Sequence, residues 1–268
     1  MNAKPLLGHH IVITRPIGQA GKLSNLIKEA GGEVVSFPLI EIAPLGNYQA
    51  FEDVISRLHE YDWAIFISSN AVQNGMPFVS KLKLPTSLKF AAIGPSTAAE
   101  LSKFGIQNTL IPKDRFDSES LLAMPEMQAV DNQKVMIFRG VGGREVLADT
   151  LKSRGADVNF AECYQRINPQ QDLSTIKTLS QQSALRAIVI TSSEAMRHLL
   201  AMANNQEWLK NVKLCVNHAR IAEEPIQLGL NVEVATAPGD EAMLACLIKV
   251  LRSIDYTLIR SNNEPRSE

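Results

Sequence analysis

Cysteine is scarce in this 268-residue chain, which excludes the small disulfide-rich scaffolds. The three cysteines, Cys163, Cys215 and Cys246, form no close pair in sequence, and the five histidines lack metal-ligand spacing. This pattern excludes a zinc finger and is typical of a protein from a reducing cytoplasm. We therefore expect no metal site.

Long apolar runs and an excess of either charge are also missing. The 27 basic and 28 acidic side chains give a formal net charge of −1, which argues against a nucleic-acid or membrane surface. No segment approaches the ~20 apolar residues of a membrane span, and no secretory leader is visible. We expect a soluble cytoplasmic protein in which the polar residues 261–268 are disordered.

The usual nucleotide-binding glycine motifs are absent as well. At 137–145 the chain reads IFRGVGGRE, which predicts a strand that ends in an anion-binding loop. Neither G-x-x-x-x-G-K-[ST] nor G-x-G-x-x-G is present, and the acidic residue about 20 positions further on, Glu162, falls in an expected linker. The sequence favours an anion nest over a dinucleotide site.

The chain repeats itself. Residues 12–37 align without gaps with residues 136–161. In this alignment Arg15 pairs with Arg139, 124 residues further on. At the same spacing FISSNAV aligns with ITSSEAM, and KFAAIGPSTAAELSKFGI aligns with KLCVNHARIAEEPIQLGL. SESLLAM matches DEAMLAC after a slip of two residues. Matches in one order at nearly one spacing indicate an internal duplication and two similar lobes.

Each copy alternates strand and helix patterns. Ile11–Thr14 and the apolar run WAIFI predict strands, whereas Leu23, Ile27 and Ala30 fall at helical spacing. Repeated strand–helix–strand units predict an α/β fold with parallel sheets flanked by helices. Two proline-bounded segments, 37–45 and 161–169, interrupt the pattern and are interpreted as linkers.

Small and polar residues follow the predicted strands, at the edge where parallel sheets bind ligands. They are Thr14, Arg15, Ser68, Ser69, Gly94, Ser96, Thr97, Arg139, Gly140, Gly142, Thr191 and Ser192. A serine or threonine there is a helix cap or a ligand contact, and Thr97 with Glu100 fits a capping box. For Arg15 and Arg139, binding of an anion and a structural ion pair both stay open.

The ordered motifs resemble those of the uroporphyrinogen-III synthase family over nearly the whole chain. They are ITRP, FPLIEIAP, FISSNAV, AAIGPSTAAEL, RGVGGRE, ECYQR and VITSSEA. The resemblance implies two α/β lobes joined by a two-stranded linker. The expected division is one lobe of residues 1–37 plus 169–260, another of 43–163, and linker strands at 38–42 and 164–168. The repeat alone would divide the chain near residue 126.

The same resemblance implies an activity. The family dehydrates and cyclises hydroxymethylbilane, a linear tetrapyrrole with eight carboxylates, and inverts its ring D through a spiro-pyrrolenine to give uroporphyrinogen III. A cleft between the lobes is expected to hold the carboxylates with backbone N–H groups and hydroxyls. The resemblance implies no cofactor and a monomer, and it is compatible with a transient contact with the preceding enzyme of tetrapyrrole biosynthesis.

Individual roles follow from matching family positions. Tyr164 of CYQR is expected to assist departure of the hydroxyl, since a phenol keeps its proton at neutral pH. The alternative is a linker tyrosine that packs against a lobe. Thr97, Ser68 and Ser192 match cleft positions. In NHARIA, Arg220 and Ile221 replace a Ser/Thr pair that is frequent in the family, which makes His218 or Arg220 a candidate substitute.

Two rival interpretations stay open from the sequence. One is a cytoplasmic two-lobed module that binds or senses small polycarboxylates, and the other is a nucleotide-using transferase. Thermal stabilisation by tetrapyrrole carboxylates but not by nucleotides would support the synthase interpretation.

Overall fold

A computed structural model describes residues 4–143, 145–204 and 207–263, with side chains up to Arg252. The chain packs into two compact units. Unit 1 contains the chain up to Glu41 and again from Ile167 onward, and unit 2 comprises Ile42–Arg166. Both boundaries lie inside the segments 38–42 and 164–168.

The strands form two sheets, and their bounds are as follows. They are His10–Ile13 (β1), Glu33–Ser36 (β2), Glu41–Ala43 (β3), Trp63–Phe66 (β4), Lys89–Ala92 (β5), Thr109–Leu110 (β6), Lys134–Gly140 (β7), Asp157–Ile167 (β8), Leu185–Ile190 (β9), Lys213–Val216 (β10) and Val232–Val234 (β11). The order in unit 1 is β11-β10-β9-β1-β2, and the other sheet has the order β3-β8-β7-β4-β5-β6.

The helices connect these strands. They are Gly21–Glu29 (α1), Gln49–Ser56 (α2), Ser69–Val79 (α3), Pro95–Ser102 (α4), Ser118–Leu122 (α5), Pro125–Gln128 (α6), Val146–Ser153 (α7), Ser174–Gln181 (α8), Ser193–Ala203 (α9), Ala219–Gln227 (α10) and Asp240–Asn263 (α11). Helices therefore alternate with parallel strands, and the α/β fold predicted from the sequence is confirmed.

The duplication is visible in the strand registers. In unit 1 Ile11 pairs with Val34, and in unit 2 Val135 pairs with Val158, which preserves the spacing of 124 residues. The helices repeat as well, because α3 at 69–79 corresponds residue for residue to α9 at 193–203. Each copy is therefore built on the same plan of local structure.

The two copies exchange strands. Unit 1 combines β1 and β2 of the first copy with β9, β10 and β11 of the second, and unit 2 does the reverse. The exchanged contact keeps its register too, because Ile11 pairs with Ala187 and Val135 pairs with Trp63. When the strands are numbered by their place within a copy, and apart from the extra edge strand β3 of unit 2, both sheets have the order 2-1-3-4-5 of a doubly wound sheet.

Each sheet is buried on both faces. Alternate residues of a strand face opposite sides, so Ala64 and Phe66 enter one core of unit 2 whereas Trp63 and Ile65 enter the other. Helices α3 and α4 cover the first face, and α5, α6 and α7 cover the second. Burial on both faces explains why these strands are continuous apolar runs.

The two segments interpreted as linkers are more regular than the prolines predict. Strand β8 continues from Asp157 to Ile167 without a break, and β3 pairs beside it. In the matching first-copy segment the chain leaves β2 at Ser36 and resumes as β3 at Glu41. Between them the N–H groups of Phe37 and Leu39 still donate to the carbonyls of Ile13 and Thr14, and Pro38 lies on the unpaired edge, where its missing N–H breaks no ladder bond.

The expected disorder of residues 261–268 is corrected for 261–263. Helix α11 extends through Asn263, since no proline interrupts the sequence before Pro265. Residues 264–268 lie outside the described residues. None of the helices in the described part of the chain is long and apolar enough to cross a membrane.

The strand exchange predicts which fragments fold. The fragment Ile42–Arg166 contains the complete six-stranded sheet apart from the ends of β3 and β8, so it should unfold cooperatively when expressed alone. The fragment 1–126 is of similar length but lacks β7 and β8, so it should not. Thermal unfolding followed by near-UV circular dichroism measures both. A cooperative transition in 1–126 and none in 42–166 would contradict the exchanged topology.

Candidate active site at the carboxyl ends of the strands

The ends of β4 and β7 form the natural ligand position in unit 2. From β4 the sheet continues through β5 to β6, and from β7 it continues in the opposite direction to β8. The order of the strands therefore reverses between β4 and β7. Ligands of open α/β sheets bind beyond the carboxyl ends of the strands at such a point. The predicted residues Ser68 and Arg139 follow or end these two strands.

A cavity of about 420 Å³ lies at this edge of unit 2. Ile67, Ile93 and Ile137 contribute to its apolar lining, and Arg139, Tyr164 and Arg166 contribute polar groups. Its lining also includes Asp117, Ser118, Glu119, Gly140, Gly142, Gly143, Leu147, Ala148 and Phe160. The volume lies within the range of about 300–1,000 Å³ that is usual for small-molecule sites.

Arg139 is the buried charge of this cavity, with an exposed fraction of only 3%. Its Nε donates a hydrogen bond to the carbonyl of Gly140 at 3.2 Å, and its guanidinium lies 4.3 Å from the ring centroid of Phe160. Both contacts fix the orientation of the guanidinium, the second through cation–π attraction. A Cβ at Gly143 would lie 3.5 Å from Nη2 of Arg139 and 3.7 Å from Nη2 of Arg166, so two guanidinium groups converge on this loop.

The glycines of the loop adopt a conformation that other residues avoid. Gly142 and Gly143 have φ angles of 69° and 113°, in the left-handed region that only glycine adopts readily. This conformation lets the N–H of Gly142 donate to Oε1 of Glu162 at 3.1 Å, and the same oxygen lies 3.6 Å from Nε of Arg139. The loop is thus an anion nest in which a carboxylate of the chain is already bound.

Tyr164 lies directly over Gly140. A Cβ at residue 140 would lie 2.6 Å from Cε2 of the tyrosine ring, so the close approach requires glycine. The ring is 4% exposed, and its hydroxyl lies 3.4 Å from Oγ of Ser68. Tyr164 thus packs in the core of unit 2 and is also one of the residues that line the cavity.

A bulge in β8 turns Tyr164 to this position. The pairing steps from Arg139–Glu162 to Gly140–Tyr164 and skips Cys163. Strict alternation would place Cys163 and Tyr164 on opposite faces, yet both lie in the same core. Bulges next to active sites commonly re-aim a side chain in this way. The buried Cys163 remains a thiol, because burial raises its pKa to about 12.

The remaining candidates of unit 2 lie at helix starts. Ser68 caps α3, as expected, by accepting from the N–H of Ala71 at 3.2 Å, and Ser69 follows it in the first turn. At α4 the cap is Gly94, with Ser96 exposed in the first turn. Thr97 is the third residue of α4 and is 4% exposed.

The predicted capping box of Thr97 and Glu100 is therefore wrong. A cap residue must precede the helix, and a capping box at Thr97 would start the helix after that residue. The helix instead starts at Pro95, because proline is favoured at the first helical position. Glu100 instead forms an ion pair with Lys103 at 2.6 Å.

Carboxylates also line the cavity at the start of α5. Asp117 caps this helix by accepting from the N–H of Ser120 at 2.8 Å. Hydrogen bonds from the hydroxyl and the N–H of Ser120 hold the pKa of Asp117 below its usual range, so it stays charged at neutral pH. Glu119 is exposed nearby. The cavity consequently carries both signs of charge.

In unit 1 the matching arginine, Arg15, has a different kind of partner. Nη1 of Arg15 forms an ion pair with Asp240 at 2.6 Å, and the two side chains are 15% and 14% exposed. Its Nε donates to Oγ1 of Thr191 at 3.3 Å, and the buried Thr14 donates its hydroxyl to the carbonyl of Val189. Of the two interpretations left open by the sequence, the structural ion pair describes Arg15.

Helix caps occupy the other candidate positions of unit 1. Ser192 caps α9 by accepting from the N–H of Ala195 at 3.0 Å, and Nδ1 of His218 accepts from the N–H of Arg220 at 3.4 Å at the start of α10. Beside these caps in the sequence, Oγ of Ser193 and Oδ1 of Asn217 are buried without a hydrogen-bond partner among the described residues. Unpaired buried polar atoms are costly, so they mark places where a ligand can contribute hydrogen bonds.

Sequence reasoning missed several of these residues. The sequence patterns do not single out Phe160, Arg166 or Asn217, and they place Glu162 in a linker. A period of two along β8 relates Phe160 and Glu162 and could have found these two, whereas the bulge at Cys163 separates Arg166 from that pattern. In the described parts of the chain, no group of three or more side chains is arranged to hold a metal ion.

Comparisons with known proteins point to one family. A family model described as uroporphyrinogen-III synthase HemD matches residues 21–245. The uroporphyrinogen-III synthase of Escherichia coli K12 is 32% identical over 243 residues, which is 88% of this chain and 99% of that protein. That of Proteus mirabilis is 36% identical over 159 residues, 59% of this chain and 80% of the relative.

Solved structures support the fold. A crystal structure of a mutant uroporphyrinogen III synthase from the extremely thermophilic bacterium Thermus thermophilus matches with a TM-score of 0.62 at 15% identity and covers 91% of this chain and 99% of its own. The Helicobacter pylori uroporphyrinogen-III synthetase matches with a TM-score of 0.57 at 17% identity, over 90% and 99% of the two chains. At these identities the likeness concerns the fold alone.

Two adjacent serines offer a test of the arrangement at α9. Ser192→Ala removes the cap and should cost about 1 kcal/mol of unfolding free energy. Ser193→Ala removes a buried hydroxyl that has no partner among the described residues, so it should leave the stability unchanged or raise it. Urea unfolding at neutral pH measures both values. Equal losses for the two variants would contradict these assignments.

Proposed function

The chain belongs to the uroporphyrinogen-III synthase family, and we propose that it binds hydroxymethylbilane through carboxylate sites at the carboxyl ends of its strands. The enzyme dehydrates and cyclises this bilane, with inversion of ring D, to uroporphyrinogen III. The observation that carries the binding proposal is the buried Arg139 beside the glycine nest, at the switch point of the unit 2 sheet. A guanidinium there is suited to a carboxylate, which it can bind through two parallel hydrogen bonds.

The substrate can be bound by a chain of net charge −1 if local groups hold it. Eight carboxylates would require a strongly basic surface if bulk charge held them. Local donors are sufficient instead, because the N-termini of parallel-sheet helices point their unpaired N–H groups at the same edge. In unit 2 these donors are complemented by Arg139 and Arg166.

At the corresponding edge, unit 1 carries neutral donors and acceptors suited to the same kind of ligand. Its arginine is committed to Asp240, so the starts of α9 and α10 and the unpaired atoms of Ser193 and Asn217 are its available groups. The amide of Asn217 offers an acceptor for a pyrrole N–H, and the hydroxyl of Ser193 can donate to a carboxylate. Ser192 and His218 stay in place as helix caps.

The chemical task is chiefly one of conformation. Loss of the hydroxyl of ring A as water leaves an azafulvene, and the substituted carbon of ring D attacks it to give the spiro-pyrrolenine. Fragmentation, rotation of ring D and closure then give the type III isomer. Without control of conformation the bilane closes to the type I isomer, so the enzyme gains its selectivity by orienting the reacting rings.

Tyr164 is the proposed acid for the departing hydroxyl. Tyr164 lines the cavity, and its hydroxyl lies 3.4 Å from Oγ of Ser68, a contact in which either group can be the donor. Ser68 is itself held by the N–H of Ala71, so the pair is oriented before substrate binds. A phenol is a weak acid, so the tyrosine assists loss of water by hydrogen bonding while orientation supplies the rest.

The proposal extends to the setting of the enzyme. All three cysteines are free thiols, which fits a cytoplasmic location. We place its activity in a monomer without a metal or organic cofactor. A transient contact with the preceding pathway enzyme would pass on the bilane before it closes spontaneously.

The activity itself is tested by the ratio of product isomers. When the purified chain is added to freshly prepared hydroxymethylbilane, most of the product should be uroporphyrinogen III because closure without enzyme gives the type I isomer. Chromatographic separation of the isomers after oxidation measures the ratio. A mixture no richer in type III than the enzyme-free sample would overturn the proposed function.

Tyr164→Phe tests the acid. Turnover should fall about a hundredfold, the lower end of the effect of a general acid, because the ring remains and only the hydroxyl is lost. Tyr48→Phe is the matched control, since it removes a hydroxyl that lies 3.4 Å from the N–H of Leu45 elsewhere in unit 2. Melting temperatures verify that both variants fold. Equal turnover in Tyr164→Phe and Tyr48→Phe would remove Tyr164 from the mechanism.

A further inference from the structure

We propose that Glu162 is a stand-in carboxylate that occupies the Arg139 site until a substrate carboxylate displaces it. This inference rests on the proposed function of the same site. It assigns to Glu162 a role in selecting which anions bind, which is separate from the chemistry of ring closure.

The geometry of Glu162 is that of a bound ligand. Its Oε1 accepts from the N–H of Gly142 at 3.1 Å and lies 3.6 Å from Nε of Arg139. One oxygen thus contacts both the nest and the guanidinium, which are the two donors that an incoming carboxylate would use. The side chain is 39% exposed, whereas Arg139 is almost wholly buried, so the acid can leave toward solvent and the base cannot.

A buried guanidinium explains why an internal carboxylate is needed. An unpaired charge in the interior is strongly unfavourable, and a nearby negative charge offsets that cost. Glu162 supplies the negative charge when the site holds no substrate. At 3.6 Å its contact with Arg139 is longer than a hydrogen bond, so the pair is held loosely enough to be exchanged.

The matching arginine of unit 1 shows the alternative arrangement. There Arg15 and Asp240 meet at 2.6 Å, and both side chains are largely buried, so the pair is short and closed. Asp240 aligns with Ser118 of the other copy, after the two-residue slip of the repeat. Unit 2 therefore lacks an acid at the position of Asp240, and a more exposed acid from β8 pairs with its arginine instead.

Displacement of a tethered carboxylate gives selectivity among anions. Glu162 competes at the high effective concentration of a group on the same chain, so a small free anion such as phosphate competes poorly. A substrate with many carboxylates is held at other points of the site, and its competing carboxylate also acts at high effective concentration. The site consequently favours polycarboxylates over abundant small anions.

Glu162→Gln is the central variant. The amide oxygen can still accept from Gly142, so the loop is retained while the competing charge is removed. The KM for hydroxymethylbilane should fall about two- to fivefold with kcat unchanged, in line with the strength of a partly exposed ion pair. Uroporphyrin I, an octacarboxylate that cannot react, should bind more tightly by the same factor in a fluorescence titration.

Inorganic phosphate provides a readout that a purely structural role would not move. Phosphate should inhibit Glu162→Gln at lower concentration than it inhibits the parent enzyme, because the tethered competitor is gone. Glu119→Gln removes the same charge from the lining of the same cavity without changing the group that contacts Gly142 and Arg139. A general effect of charge would shift both variants equally and overturn the proposal, whereas the stand-in role shifts Glu162→Gln more.

Arg139→Gln completes a double-mutant cycle. In that background Glu162→Gln should no longer tighten the binding of uroporphyrin I, because the gain depends on the freed guanidinium. An unchanged or higher KM in Glu162→Gln, with unchanged sensitivity to phosphate, would overturn the stand-in role and make Glu162 a brace of the loop. That result is distinct from a failure of the proposed function, in which the parent enzyme itself makes no excess of type III isomer.

Discussion

Parallel pairing between strands of opposite copies is the constraint on which the rest of the structure depends. β1 lies beside β9 in unit 1, and β7 lies beside β4 in unit 2. The order of each sheet reverses at this exchanged pair, which is where doubly wound sheets bind ligands. Ser68 and Arg139 follow or end strands that are adjacent only because β4 of the first copy pairs with β7 of the second. The site therefore depends on the exchange of strands between the two copies.

The duplication preserved the framework and let the charges diverge. Registers, helices and caps repeat at one spacing, because a parallel sheet that is buried on both faces tolerates little change. The matching arginines, by contrast, have different partners, Asp240 for Arg15 and Glu162 for Arg139. In unit 1 the pair of Arg15 and Asp240 stabilises the edge of the sheet. In unit 2 the partner of Arg139 is the carboxylate that we propose a ligand displaces.

The sequence predicts the periodic features and the family, but not the local departures from periodicity. Strands and helices follow from apolar spacing, and the strand-end positions of the site follow from the parallel sheet. The bulge at Cys163 breaks the alternation of β8, so no pattern predicts that Tyr164 turns toward Gly140. The choice of partner for Arg15 depends on Asp240, which is 225 residues away, and no local rule connects the two. The capping box fails for a similar reason, because Pro95 moves the helix start.

The exchanged topology also orders events during synthesis. The first 41 residues leave the ribosome with β1 and β2 but without the strands that flank them in the finished sheet. Unit 2 is translated as one uninterrupted stretch and can acquire its structure while the chain is still growing. The apolar strand HIVI is therefore made well before Leu185–Ile190, the strand that pairs with it, so the sheet of unit 1 can be completed only after the whole of unit 2 has been translated.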